Sequence, residues 1–117
     1  MTTLPRSVPV IEELIHSYGL SHRFRRVRST ATPVLALEEP GSGAREKVCD
    51  KILRLVHEDN CEAVVLGCAS MADLAEWLTE ETGISVIDVV TVATRMIEAL
   101  VRCRLKTSKI RAYALPI

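Results

Sequence analysis

The chain has 117 residues and a formal net charge of zero, with 48% hydrophobic and 3% aromatic residues. That length suits one domain with a real core and leaves no room for a second lobe. The balanced charge excludes a general attraction for nucleic acid, and no apolar run is long enough to cross a bilayer. Met1-Thr2-Thr3 opens no signal peptide, so the expectation is a cytoplasmic chain without membrane or nucleic-acid partners. The four cysteines, Cys49, Cys61, Cys68 and Cys103, form no C-x-x-C pair, and the three histidines share no ligand spacing with them. No metal site is expected.

In chain order, Ser7 is placed to cap a first helix, with Pro9 in its opening turn and Gly19 as its stop. Val10, Ile11, Leu14 and Ile15 form its apolar stripe. Ser21 to Arg28 reads as a half-exposed or edge strand, with Phe24 and Val27 set among Arg23, Arg25, Arg26 and Arg28. That basic run reads as a solvated face. Thr32 to Leu37 is expected to be extended because of Pro33, and Glu38 to Gly43 is a loop. A second helix is predicted from about Ala44 to Glu58, burying Val48, Ile52, Leu55 and Val56, with Cys49 near that stripe as a small hydrophobe. Cys61 lies in the connection that follows, also as a structural residue.

Ala63 to Leu66 is a short aliphatic strand. Gly67 permits a sharp turn, and Ser70 to Thr82 has helical spacing that ends before Gly83. Ile84 to Ile87 is a second short apolar strand, and Asp88 precedes a helix from about Val90 to Arg102 in the manner of a capping carboxylate. Short apolar strands alternating with helices argue for parallel βαβ units, an α/β lobe of three layers with helices on both faces of a mostly parallel sheet. The right-handed crossover then sets Cys68 and Asp88 on the same carboxyl rim. Residues 1–102 form this lobe. Residues 103–117 have no helical period and read as an irregular tail crossing back over some surface.

Cys68 stands where a strand hands over to a helix. Free backbone N–H groups and the helix dipole at such a place favour a thiolate and attract an anion. From the residues alone, a packed cysteine and a reactive thiol are equally open.

Leu66-Gly67-Cys68-Ala69-Ser70-Met71-Ala72-Asp73-Leu74 resembles the second-cysteine segment of the Asp/Glu/hydantoin racemase family, and of its hydantoin racemase branch most closely. Val86-Ile87-Asp88, the Leu105-Lys106-Thr107-Ser108-Lys109 run and Tyr113-Ala114 resemble that branch's closing segments. Thr2-Thr3-Leu4 with Arg6 to Pro9 resembles the start of the family's second lobe. The resemblance covers essentially the whole chain. It implies half of a two-lobe fold, in which two opposed cysteines transfer protons at the carbon next to a carbonyl with no cofactor and no metal.

Carried over, Cys68 is the second-lobe acid/base. Gly67, Ala69 and Ser70 shape its turn and offer N–H groups, and Thr2 and Thr3 face the cleft. The first lobe and its cysteine would lie before residue 1, together with the strand that normally precedes Thr2. Cys49, Cys61 and Cys103 do not map to a facing turn. Ser70 and Val89 stand where the family pattern has Gly. The expected partners are a small hydantoin or amino-acid derivative and a second lobe, from a homo-oligomer or a first-lobe chain. The alternative is a non-catalytic lobe that binds a small anion at the Cys68 turn.

Overall fold

The computed structural model describes residues 1–116, so the last residue of the expected tail lies outside the described chain. Its elements are α1 (Val8–Ser17), α2 (Ala44–Asp59), β1 (Ala63–Leu66), α3 (Ala75–Thr82), β2 (Ser85–Asp88) and α4 (Val89–Arg102). Short 3₁₀ turns occupy Pro5–Ser7, Val34–Leu37, Ala69–Leu74 and Arg111–Tyr113.

β1 and β2 pair in parallel, from Ala63 opposite Ser85 to Leu66 opposite Asp88. On the far side of β1 the ladder is continued by the first residues of the chain. The Met1 amino group donates to the Val65 carbonyl, and the Gly67 N–H donates to the Met1 carbonyl at 2.7 Å. Thr2 in turn donates to the Arg28 carbonyl and accepts from the Thr30 N–H, both at 2.9 Å, closing a parallel bridge between Thr2 and Ser29. The spatial order is therefore 28–30, 1–3, β1, β2. The gap expected ahead of Thr2 is bridged at its rim end by Met1 and Thr2 themselves.

The core lies on one face of this sheet. Val48, Ile52 and Leu55 of α2 meet Val64, Leu66 and Val86 of the strands and Met71, Leu74 and Leu78 beyond the turn, all buried in one cluster. Burying aliphatic side chains of this size stabilises the fold by about 1.5–3 kcal/mol each, before entropy is counted. Arg28 ties the outer strand to the end of α2. Its Nε and Nη2 donate to the two Asp59 oxygens at 3.0 and 2.6 Å, and this pairing holds the Asp59 carboxyl below its ordinary range. One member of the expected solvated basic run is thus an ion-pair anchor.

Several local expectations are corrected. Ser7 makes no side-chain cap, because the chain is already turning through Pro5–Ser7 when α1 begins. Residues 21–28 form no strand, and ladder pairing starts only at Ser29. Pro33 is extended, but its carbonyl accepts from Ala36 at 3.1 Å and opens a 3₁₀ turn where an extended run was expected. The helix expected over Ser70–Thr82 divides into a 3₁₀ turn and the eight-residue α3.

The helices are unequally seated. α2 and α3 pack together over the core, whereas every residue of α4 is exposed, Met96 at 62% and Val101 at 69%. The tail from Cys103 to Pro116 is exposed throughout and does not cross back over a surface.

Candidate active site

β1 ends at Leu66, and the next two residues carry the chain over the carboxyl rim. Gly67 is not needed for a left-handed turn. Its role is close approach, since a Cβ there would stand 3.2 Å from the Met1 carbonyl oxygen. Cys68 is extended, with φ −136° and ψ 129°, and occupies the N-cap position of the Ala69–Leu74 turn. Its carbonyl accepts from the Met71 N–H at 3.0 Å. The thiol is half-buried, and Sγ lies 3.3 Å from the Ser70 Oγ. Ser70 therefore supplies a hydroxyl within reach of the sulfur that a glycine could not. Ala69 is exposed between them.

The ladder sets what stands beside this thiol. Met1 lies across from Leu66, so two residues further on Thr3 lies across from Cys68. Thr2 and Thr3 are both buried. Continued one residue past the bridged Thr2 to the bend at Thr3, the register sets Thr3, and not Thr2, in the row of Cys68. The Thr3 carbonyl is held by the Ser29 hydroxyl at 2.9 Å.

On the other side, Asp88 ends β2 opposite Leu66 and caps α4, accepting from Val90 and Thr91 N–H at 2.8 and 2.9 Å. Hydrogen bonding from Thr91, side chain first and then backbone, holds the Asp88 carboxyl below its ordinary value. Cys68 and Asp88 thus share the rim, and α4 starts against the Ala69–Leu74 turn.

An open groove of about 1060 Å³ runs beside the Cys68 turn, between Ala69, Ser70 and Asp73 on one side and the loop Glu38–Gly43 on the other. Sequence reasoning left that loop without a role. Ser42 carried a signal for it: its Oγ donates to the Ala36 carbonyl at 2.6 Å and accepts from the Ala44 N–H, fixing the loop to the start of α2.

The remaining cysteines lie elsewhere. Cys49 and Cys61 are half-buried against the core cluster and Cys103 is exposed, and all four thiols are free. Burial, and then the carboxylates of Glu81, Asp50 and Glu46, push the Cys49 thiol up, which keeps it protonated. Among the described residues no three His, Cys, Asp or Glu side chains converge to hold a metal ion.

The arrangement is a thiol at a strand end, with a hydroxyl beside it, free N–H groups ahead of it and a buried threonine in the next strand. Its place in sequence and space is shared with known proteins. The Asp/Glu/Hydantoin racemase family profile matches residues 1–97. The hydantoin racemase of Rhizobium meliloti is 47% identical over 116 residues, 99% of this chain and 48% of its own length. That of Pseudomonas sp. (strain NS671) is 39% identical over 99% of this chain and 47% of its own length. Two solved structures superpose closely. The allantoin racemase of Pseudomonas fluorescens has a TM-score of 0.88 and 43% identity, covering 98% of this chain and 49% of that one. The allantoin racemase of Klebsiella pneumoniae has a TM-score of 0.90 and 42% identity, covering 99% of this chain and 47% of that one. The chain spans about half the length of the relatives it matches. It belongs to the Asp/Glu/hydantoin racemase family.

Proposed function

We propose that the chain supplies one of two acid/base thiols for cofactor-independent racemisation of hydantoin-type amino-acid derivatives, with Cys68 as that group. The observation that carries this reading is the half-buried Cys68 thiol on the rim of a racemase-family sheet, 3.3 Å from the Ser70 hydroxyl. As a thiolate, its sulfur takes the proton from the substrate carbon next to a carbonyl. The S–H bond forms, the C–H bond breaks, and the electron pair moves onto the carbonyl oxygen. On this reading the backbone N–H groups of Ala69 and Ser70 and the Thr3 hydroxyl meet that developing charge, Gly67 shapes the turn with its own N–H held by the Met1 carbonyl, and Thr2 holds the strand that carries Thr3. A thiol on the opposite face returns a proton to complete inversion.

That second thiol comes from another lobe, either in a homo-oligomer or from a first-lobe chain. The uncovered apolar side of α4 and the exposed tail supply a surface on which such a lobe can sit. Four free thiols fit a reducing, cytoplasmic setting.

A single thiol can exchange the substrate proton with solvent even where two are needed to invert the carbon. In D₂O at neutral pH, the chain is expected to accelerate deuterium incorporation at C5 of a 5-substituted hydantoin above the buffer rate. Proton NMR follows the exchange and polarimetry follows inversion. Cys68→Ala is expected to return exchange to the buffer rate while leaving the protein folded. Wild-type exchange at the buffer rate, with and without a partner lobe, rejects the reading and leaves the non-catalytic anion-binding alternative.

A further inference from the structure

Thr30 carries an unexplained polar group. Its Oγ1 is buried and has no hydrogen-bond partner, although the residue is only 9% exposed. A closed-off hydroxyl without a partner costs about 1–3 kcal/mol, so one that persists calls for an explanation.

The ladder indicates one. Thr2 bridges Ser29, so one residue on Thr30 lies beside Thr3, and Thr3 lies beside Cys68. Continued one residue past the Thr2–Ser29 bridge and past Gly67, that register sets Thr30, Thr3 and Cys68 in one row at the ordinary strand spacing of about 4.8 Å. The direction of Thr30 is fixed from both sides. Its N–H donates to Thr2, and the next residue, Ala31, is held in the left-handed region at φ 53° by a hydrogen bond to the Ser29 hydroxyl. Facing threonines on adjacent strands come within reach of one another once a side chain turns about χ1.

We propose that Thr30 is a further positioning residue of this site, acting through Thr3. When a carbonyl oxygen of a cyclic imide or ureide accepts a hydrogen bond from the Thr3 hydroxyl, the Thr3 oxygen is turned to accept from Thr30. The orphaned group gains its partner only in the bound state, and the two bonds reinforce each other. In the free protein the unpaired Thr30 hydroxyl costs stability rather than adding it, so its removal is not expected to lower the melting temperature. This rests on the racemase reading of the Cys68 turn.

The test measures calorimetric affinity for 5-benzylhydantoin alongside the melting temperature without ligand. Thr30→Val is expected to weaken binding about fivefold to tenfold, the worth of one ordinary hydrogen bond, without lowering the melting temperature. Thr30→Ser, which keeps the hydroxyl, is expected to bind within about twofold of wild type. In a Thr3→Val background, adding Thr30→Val is expected to change nothing further, because the two act as one unit. Unchanged affinity in Thr30→Val overturns the proposal, as do additive losses in the double variant. A lower melting temperature in Thr30→Val, with Thr30→Ser unaffected, also overturns it by revealing a partner in the free protein. Wild-type protein that binds no hydantoin overturns both this proposal and the functional reading beneath it.

Discussion

A methyl group at Gly67 would meet the Met1 carbonyl oxygen at 3.2 Å, and that oxygen accepts the Gly67 N–H at 2.7 Å. Backbone on both sides leaves little to give, so Gly67→Ala has to push the first residues away from β1. The expected cost is about 1–2 kcal/mol, read as a lower urea midpoint at unchanged slope. A Gly67→Ala protein as stable as wild type would show that residues 1–3 are not held in the sheet. Sequence reasoning assigned Gly67 to a sharp turn, because glycine is the residue that most freely lets the backbone change direction. The real constraint comes from a strand neighbour 66 residues earlier in the chain, which local pattern does not carry. Ser70 was legible as part of the turn, but its distance to the sulfur was not.

Among the elements, those specified by strong periodicity were readable. The stripe of α2, both β-strands and the Asp88 cap follow from aliphatic spacing and one carboxylate at a helix start. The division of Ser70–Thr82 was not, since Met71 and Leu74 are three apart and bury equally well from a 3₁₀ or an α-helical turn. α4 was readable as a helix but not as an uncovered one, because amphipathic spacing says which side is apolar and not what lies against it. Asp88 gives a titration test at this scale. Its carboxyl is held below the ordinary aspartate value, so its charge stabilises the fold above about pH 3.9 and that contribution fades as pH falls through the lowered value. Asp88→Asn keeps a capping oxygen but loses the charge. Its melting temperature is expected to fall below wild type at neutral pH and to converge with it in strong acid. A constant difference across the pH range would rule out the charged cap.

As a whole, the molecule measures 54 × 28 × 26 Å, with an exposed arm formed by α4 and the tail. Val92, Met96, Ile97, Leu100 and Val101 present an apolar surface on a chain of zero formal charge. Without net repulsion, such a surface favours association. Sedimentation velocity is expected to show concentration-dependent assembly, and Met96→Gln with Leu100→Gln is expected to abolish it while leaving the melting transition in place. A wild-type chain that stays monomeric without a partner, and binds no first-lobe chain either, would refute the pairing.

The seat of Met1 has a practical side. Its amino group lies inside the ladder, donating to Val65, and burial pushes that ammonium below its ordinary value. Residues joined ahead of it would replace the buried ammonium and would have to leave between β1 and the stretch before Ser29. An affinity handle placed there would act as a wedge in the sheet, whereas one placed beyond the exposed tail would leave every strand where it is.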